Sequence, residues 1–251
     1  MSPTWARPVT EPSRTVAHVS SFSRDEVRGL DEPVQRYFTA AIAPGTPLFT
    51  AARLVMHGRI EVGRWVPFRA TELLAPRTGF LWRATAAGVI SGFDRYLCGE
   101  GRMQWRLGGL VPVIDAGGPD VARSAAGRAA AEGFWVPTAL LPRFGMRWEA
   151  ASDHEIVGRT DLDGVPVELH HHLDDAGALT AVSLRRWGDP DGGTDFGWHQ
   201  FGGPVHATRS FAGVTVPSDG AAGWNPGTDR WDRGEFFRYR LDGLRPVERT
   251  G

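Results

Sequence analysis

The residue pattern predicts an α+β, mainly β fold: a strongly curved antiparallel sheet, a half-open barrel of about nine or ten strands, wrapped around one inserted helix, with a short N-terminal helix beside it. Three observations carry this expectation. Extended segments follow one another at close spacing, separated only by Gly, Pro or short polar turns, which favours neighbouring hairpins over long crossovers. Midway, the Ala-rich run "GPDVARSAAGRAAAEGFWVPTALL" changes character and reads as the best helix in the chain. No linker-like stretch separates the halves, so one domain is expected over residues 23–251.

In chain order, residues 1–22 are rich in Pro, Ser and Thr and are expected to form an extended or poorly ordered arm. Ser23 with Glu26 three residues on has the spacing of a capping box, and "DEPVQRYFTAAI" continues helically with Pro33 near a helix start. Strands are then expected in "TAARLVMHGRIEV", "RWVPFRATELLA", "GFLWRATAA", "VISGFDRYLCGEG" and "RMQWRLGGLVPVI". The inserted helix is expected over about 119–135, with Asp120 at its start and Pro137 limiting its end. Strands return in "MRWEAASDHEIVGRTDLDG", "VPVELHHHLDDAG", "ALTAVSLRRWGD", "FGWHQFGGPVHATRSFAGVTVP" and "FFRYRLDGL". Among these, "DLDG" and "DDAG" supply the Asp and Gly that tight turns require.

Composition limits the function. With 251 residues, 41% hydrophobic content, 10 Trp and 13 Phe, the chain can build a sizeable core. A formal charge of -1 and scattered basic residues leave no electrostatic footprint for nucleic acid or an anionic membrane, so neither partner is expected. All 28 basic residues are arginine, which excludes lysine Schiff-base and pyridoxal chemistry. The lone Cys98 cannot close an intramolecular disulfide. Phosphate-loop, dinucleotide, nucleophile-elbow and Cys/His zinc motifs are missing, so no cofactor is expected. No apolar run reaches signal-peptide length near the N-terminus or the roughly 20 residues of a spanning helix, so a cytoplasmic protein without a membrane span is expected. Nothing in the pattern sets an oligomeric state.

The stretch "VELHHHLDD" tests the alternation of strand side chains. Val167, Leu169, His171 and Leu173 share one face, and Glu168, His170 and His172 share the other. The apolar set is expected inward, which leaves Glu168, His170 and His172 as an alternative metal row and makes His171 either a core histidine or a polar group facing a cavity. By the same test Asp94, Tyr96 and Cys98 fall together. An inward Asp94 beside Tyr96 suits acid or base work, or else locks the inserted helix through an arginine such as Arg123. His199 stands among aromatics and Gly in "FGWHQFGG", as a ligand-facing residue often does. On the helix, Ser124, Arg128 and Glu132 line one stripe, and the last two can pair. Trp residues are spread over nearly every strand and turn, so some are expected to line a cavity, with Trp82, Met103, Trp105, Trp135 and Phe201 as its candidate walls.

The runs "GFDRYLCGEGRMQWRLGGLVPV" and "ARSAAGRAAAEGFWVPTALL", with "FAGVTVP" and Trp224 later, resemble an uncharacterised bacterial domain family of unknown function over most of residues 30–245. The order of elements is similar to that of LolA-like lipoprotein carriers, and this resemblance implies a half-open barrel holding acyl chains against a helical lid. The leading functional expectation is a cavity for a hydrophobic small molecule in which Asp94, Tyr96, His171 and His199 promote a cofactor-independent cyclisation, isomerisation or dehydration. The alternatives are a non-catalytic lipid-binding or carrier protein and a metalloprotein using Glu168, His170 and His172.

Overall fold

Among the described residues a single antiparallel sheet of thirteen strands organises the fold, and its first and last strands lie side by side at its middle. The computed structural model describes residues 20–191 and 195–247. After helix α1 (Glu32–Ala41), the chain lays down β1 (Ala52–Glu61), β2 (Trp65–Ala75), β3 (Gly79–Ala86), β4 (Ile90–Leu97), β5 (Glu100–Leu107) and β6 (Val111–Gly117) as a meander. Helix α2 (Pro119–Ala131) and short 3-10 turns follow. The second meander comprises β7 (Arg147–Ser152), β8 (Glu155–Leu162), β9 (Val165–Leu173), β10 (Leu179–Gly188), β11 (Gly197–Phe211), β12 (Val214–Trp224) and β13 (Glu235–Pro246). Pairing of β1 with β13, from Ala52 opposite Pro246 onward, joins the meanders, so β6 and β7 become the two outer edges. Because α2 connects those edges, it crosses from one rim of the sheet to the other.

Three of the segments read as single strands are hairpins, which is why thirteen strands replace the expected nine or ten. The missed turns are Gly108–Gly109, Asp153–His154 and Ala212–Gly213. At Ala212 the backbone takes a φ of 49°, a left-handed conformation unusual for alanine, so the residue type gave no warning. Ser23 makes no side-chain cap and precedes only a 3-10 turn, Arg24–Val27. Asp31 instead precedes α1, with Pro33 in its first turn as expected. Residues 1–19 of the expected arm lie outside the described residues, while Phe22 is already part of the core at 2% exposure.

Alternation decides what faces inward. Along β2, Val66, Phe68, Ala70, Glu72 and Leu74 are buried and their neighbours are not. Glu72 is thus a carboxyl in an otherwise apolar row. Helix α1 buries Val34, Tyr37 and Phe38 near β7, β8 and β12, closing one end of the concave face. Each such fully buried side chain contributes about 1.5–3 kcal/mol. No helix among the described residues is long and apolar enough to cross a membrane.

A candidate ligand cavity beneath the inserted helix

Helix α2 is held to the sheet from both sides. Toward the first meander, Arg128 Nη1 donates to Asp94 Oδ2 at 2.8 Å, while Asp94 Oδ1 accepts from Trp105 Nε1 at 2.9 Å. Asp94 therefore locks helix onto sheet through Arg128 rather than Arg123. Arg123 instead stacks over Trp187 on β10, 4.6 Å from the ring centroid. Toward the second meander, Trp187 Nε1 donates to Asp120 Oδ1 at 2.8 Å and Arg186 Nε donates to the Ser124 carbonyl at 3.1 Å. Gly101 on β5 permits the close approach, since a Cβ there would lie 2.6 Å from Ala122 Cα.

The stripe of Ser124, Arg128 and Glu132 faces the sheet. Arg128 Nε donates to Glu132 Oε1 at 2.7 Å, and both side chains are only 16% exposed. The Arg128 guanidinium also lies 4.5 Å from the Phe80 ring centroid. Burial opposes the Arg128 charge, but the Glu132 and Asp94 carboxylates more than offset it, so Arg128 stays cationic.

Between α2 and the concave face is a partly open cavity of about 360 Å³. That size falls within the roughly 300–1,000 Å³ of small-molecule sites. Trp82, Met103, Trp135, Phe201, Phe237 and Tyr239 contribute to a mainly apolar lining, with Asp94, Arg128, Glu132 and Arg186 among the polar groups. Trp135 is fixed by its Nε1 donating to the Pro217 carbonyl at 3.0 Å and by edge packing on Tyr239. Trp105 does not line the cavity; it engages Asp94 and packs its ring on Trp82 at 5.6 Å.

The candidate acid/base residues are dispersed. Only Asp94 faces the cavity, and both its oxygens are engaged. Tyr96 is turned away: its hydroxyl donates to Asp163 Oδ2 at 2.6 Å, and the Gly99 N–H donates to the same oxygen at 2.9 Å, tying the β4–β5 turn to the β8–β9 turn. Burial, then the Asp163 contact, push the Tyr96 pKa up. His171 is fully buried between Tyr37 and Trp148, with both ring centroids 5.1 Å away and neither nitrogen hydrogen-bonded. Burial lowers its pKa to about 3, so the ring is neutral. His199 packs against Trp224 at 6.1 Å, outside the lining.

The row opposite His171 is occupied by its own salt links. Glu168 accepts from Arg159 at 2.7 Å, and His170 Nδ1 lies 2.7 Å from Glu155 Oε1. Neither contact involves His172. Among the described residues no group of three or more His, Cys, Asp or Glu side chains is placed to hold a metal.

Besides apolar lining such as Phe237 and Tyr239, two ionisable residues at the site escaped the sequence reading: Arg186 on the lining and Glu72 behind Glu132. Both sit in the inward phase of their strands, Glu72 after Phe68 and Ala70 and Arg186 after Val182 and Leu184, so the alternation test used on His171 reaches them as well. Glu72 is 1% exposed. Burial first, then the Glu132 carboxylate within hydrogen-bonding reach, raise its pKa well above the usual carboxylate range. Two carboxylates can only accept, and Glu132 Oε2 and both Glu72 oxygens have no other donor. A proton held on Glu72 turns the contact into a charge-assisted O–H···O⁻ bond.

The family model described as "Family of unknown function (DUF6544)" matches residues 20–236, and the chain belongs to that family. No curated protein matches the sequence. The fold is similar to that of LolA superfamily protein NE2245 from Nitrosomonas europaea, with 8% identity, a TM-score of 0.46 and coverage of 87% of this chain and 93% of that one. It is also similar to that of a DUF1329 family protein from Desulfovibrio piger, with 9% identity, a TM-score of 0.39 and coverage of 81% and 88%.

Proposed function

We propose that this member of the DUF6544 family binds an apolar small molecule non-covalently in the cavity beneath α2, as a binding or carrier protein. One observation carries the reading: a mainly apolar cavity of about 360 Å³ remains between a helix latched on both sides and an aromatic-rich sheet, where a core would ordinarily be packed solid. Displacing poorly held water from such a surface favours an apolar guest. Asp94, Arg128 and Glu132 on its wall are paired with one another, which suits a wall better than a reaction centre. An acid/base step needs a proton donor or acceptor within reach of the guest, and the carboxylates on the lining, Asp94 and Glu132, are both committed to Arg128.

Calorimetric titration of the full chain with dodecanol tests the proposal. Saturable one-to-one binding with a negative heat-capacity change is expected. Absence of saturable binding for dodecanol and for its charged analogues overturns it.

A further inference from the structure

We propose that the guest is an amphiphile bearing one carboxylate, with its headgroup seated on Arg186 and its chain along the aromatic wall; this rests on the apolar-cavity reading above. Arg186 reaches the cavity from β10 on the same face as Val182 and Leu184. Its Nε is used by the Ser124 carbonyl at 3.1 Å, and its guanidinium lies 4.5 Å from the Phe201 ring centroid and 5.5 Å from that of Trp224. These contacts hold the planar group in place without neutralising it.

The contrast with Arg128 is what points to a ligand. Arg128 has two carboxylates on it, Asp94 at 2.8 Å and Glu132 at 2.7 Å. Among the described residues, Arg186 enters no ion pair, although it lines the same cavity. A sequestered cation without a counter-ion is costly, and a bound anion removes that cost. Burial, then the neighbouring Arg128, lower the Arg186 pKa to about 10, so it remains charged at neutral pH. Its remaining N–H groups form the planar fork that matches a carboxylate in bidentate fashion.

Charge count favours a monoanion. Asp94 and Glu132 direct their charge onto Arg128, which leaves the Arg186 fork open but sets two negative groups in the same cavity. A second charge on the ligand, as on a phosphate monoester, meets repulsion from these groups, because the other arginines on the lining are already paired: Arg95 with Glu100, Arg102 with Asp115, and Arg128 with Asp94 and Glu132.

The test is calorimetric titration of the full chain with three probes of equal chain length: dodecanoate, dodecanol and dodecyl phosphate, at neutral pH. Dodecanoate is expected to bind at least about tenfold more tightly than dodecanol and more tightly than dodecyl phosphate. In Arg186→Met the ratio of dodecanoate to dodecanol affinity is expected to fall to near one, and Arg186→Lys is expected to restore part of it. Equal binding of dodecanoate and dodecanol by the native chain overturns this proposal and leaves the apolar cavity standing. Tighter binding of dodecyl phosphate overturns the carboxylate assignment, and binding of none of the three overturns the cavity reading itself. The native ratio decides the matter even where a variant fails to fold.

Discussion

Asp94 on β4 and Arg128 on α2 meet at 2.8 Å, and this ion pair joins the inserted helix to the first meander across the cavity. Its partners are 13% and 16% exposed, so water screens it little and each charge depends on the other. Replacing Asp94 by Asn leaves Arg128 with Glu132 alone. The expected cost is about 2 kcal/mol, read as a lower urea midpoint with an unchanged slope. An unaltered midpoint shows that the pair does not hold the helix.

Glu72 makes stability depend on pH in a particular direction. Its folded pKa is raised above the usual 4.5, so the folded state binds the proton that the unfolded state has already lost. The stabilisation is complete below pH 4.5 and drains as pH rises toward the folded value, at about 1.4 kcal/mol per pH unit. Glu72→Gln keeps the shape and a donor toward Glu132 while removing the titration. The variant is expected to gain on the native protein progressively above pH 4.5, in denaturation midpoints taken across pH. Parallel curves for the two proteins contradict the protonated carboxyl.

His171 acts in the opposite sense. Its pKa is lowered from 6.5 to about 3, so between those values the unfolded state binds a proton that the folded state refuses. Stability is present above pH 6.5 and is lost as pH falls through this window, again at about 1.4 kcal/mol per unit. Neither ring nitrogen is hydrogen-bonded, so His171→Leu removes a desolvation cost and is expected to flatten the acid limb while raising or preserving stability at neutral pH. A large loss of stability in the leucine variant at neutral pH indicates that His171 has a polar task.

Tyr96 ties two turns together rather than serving the cavity. Removing its hydroxyl in Tyr96→Phe forfeits the 2.6 Å bond to Asp163 and is expected to cost about 1 kcal/mol, with dodecanol affinity unchanged. A change in affinity without a change in the denaturation midpoint contradicts this assignment.

The relation between sequence and site is uneven for physical reasons. Alternation correctly turned Val167, Leu169, His171 and Leu173 inward, because a strand's side chains have a fixed period of two. It applies equally to Glu72 and Arg186, which share the inward phase of their strands although they are ionisable. The inserted helix was legible from its Ala content, with Asp120 at its start and Pro137 beyond its end, although it stops at Ala131 and continues to Trp135 only as a 3-10 turn. Which arginine would reach Asp94 was not: Arg123 and Arg128 are both on α2, and only the crossing of helix over sheet selects between them. The turn at Ala212–Gly213 was hidden because an alanine there accepts a left-handed backbone that its side chain does not favour.

The central claim is that the space beneath α2 receives an apolar guest. Ala125 lines that space from the helix, one turn before Arg128, and Ala125→Phe fills part of it while leaving both partners of the Asp94–Arg128 joint unsubstituted. The decisive measurement is dodecanol affinity of this variant beside its thermal midpoint. The account predicts a loss of at least about tenfold in affinity with the midpoint retained or raised. A folded variant that binds dodecanol as tightly as the native chain contradicts it and places the apolar guest elsewhere.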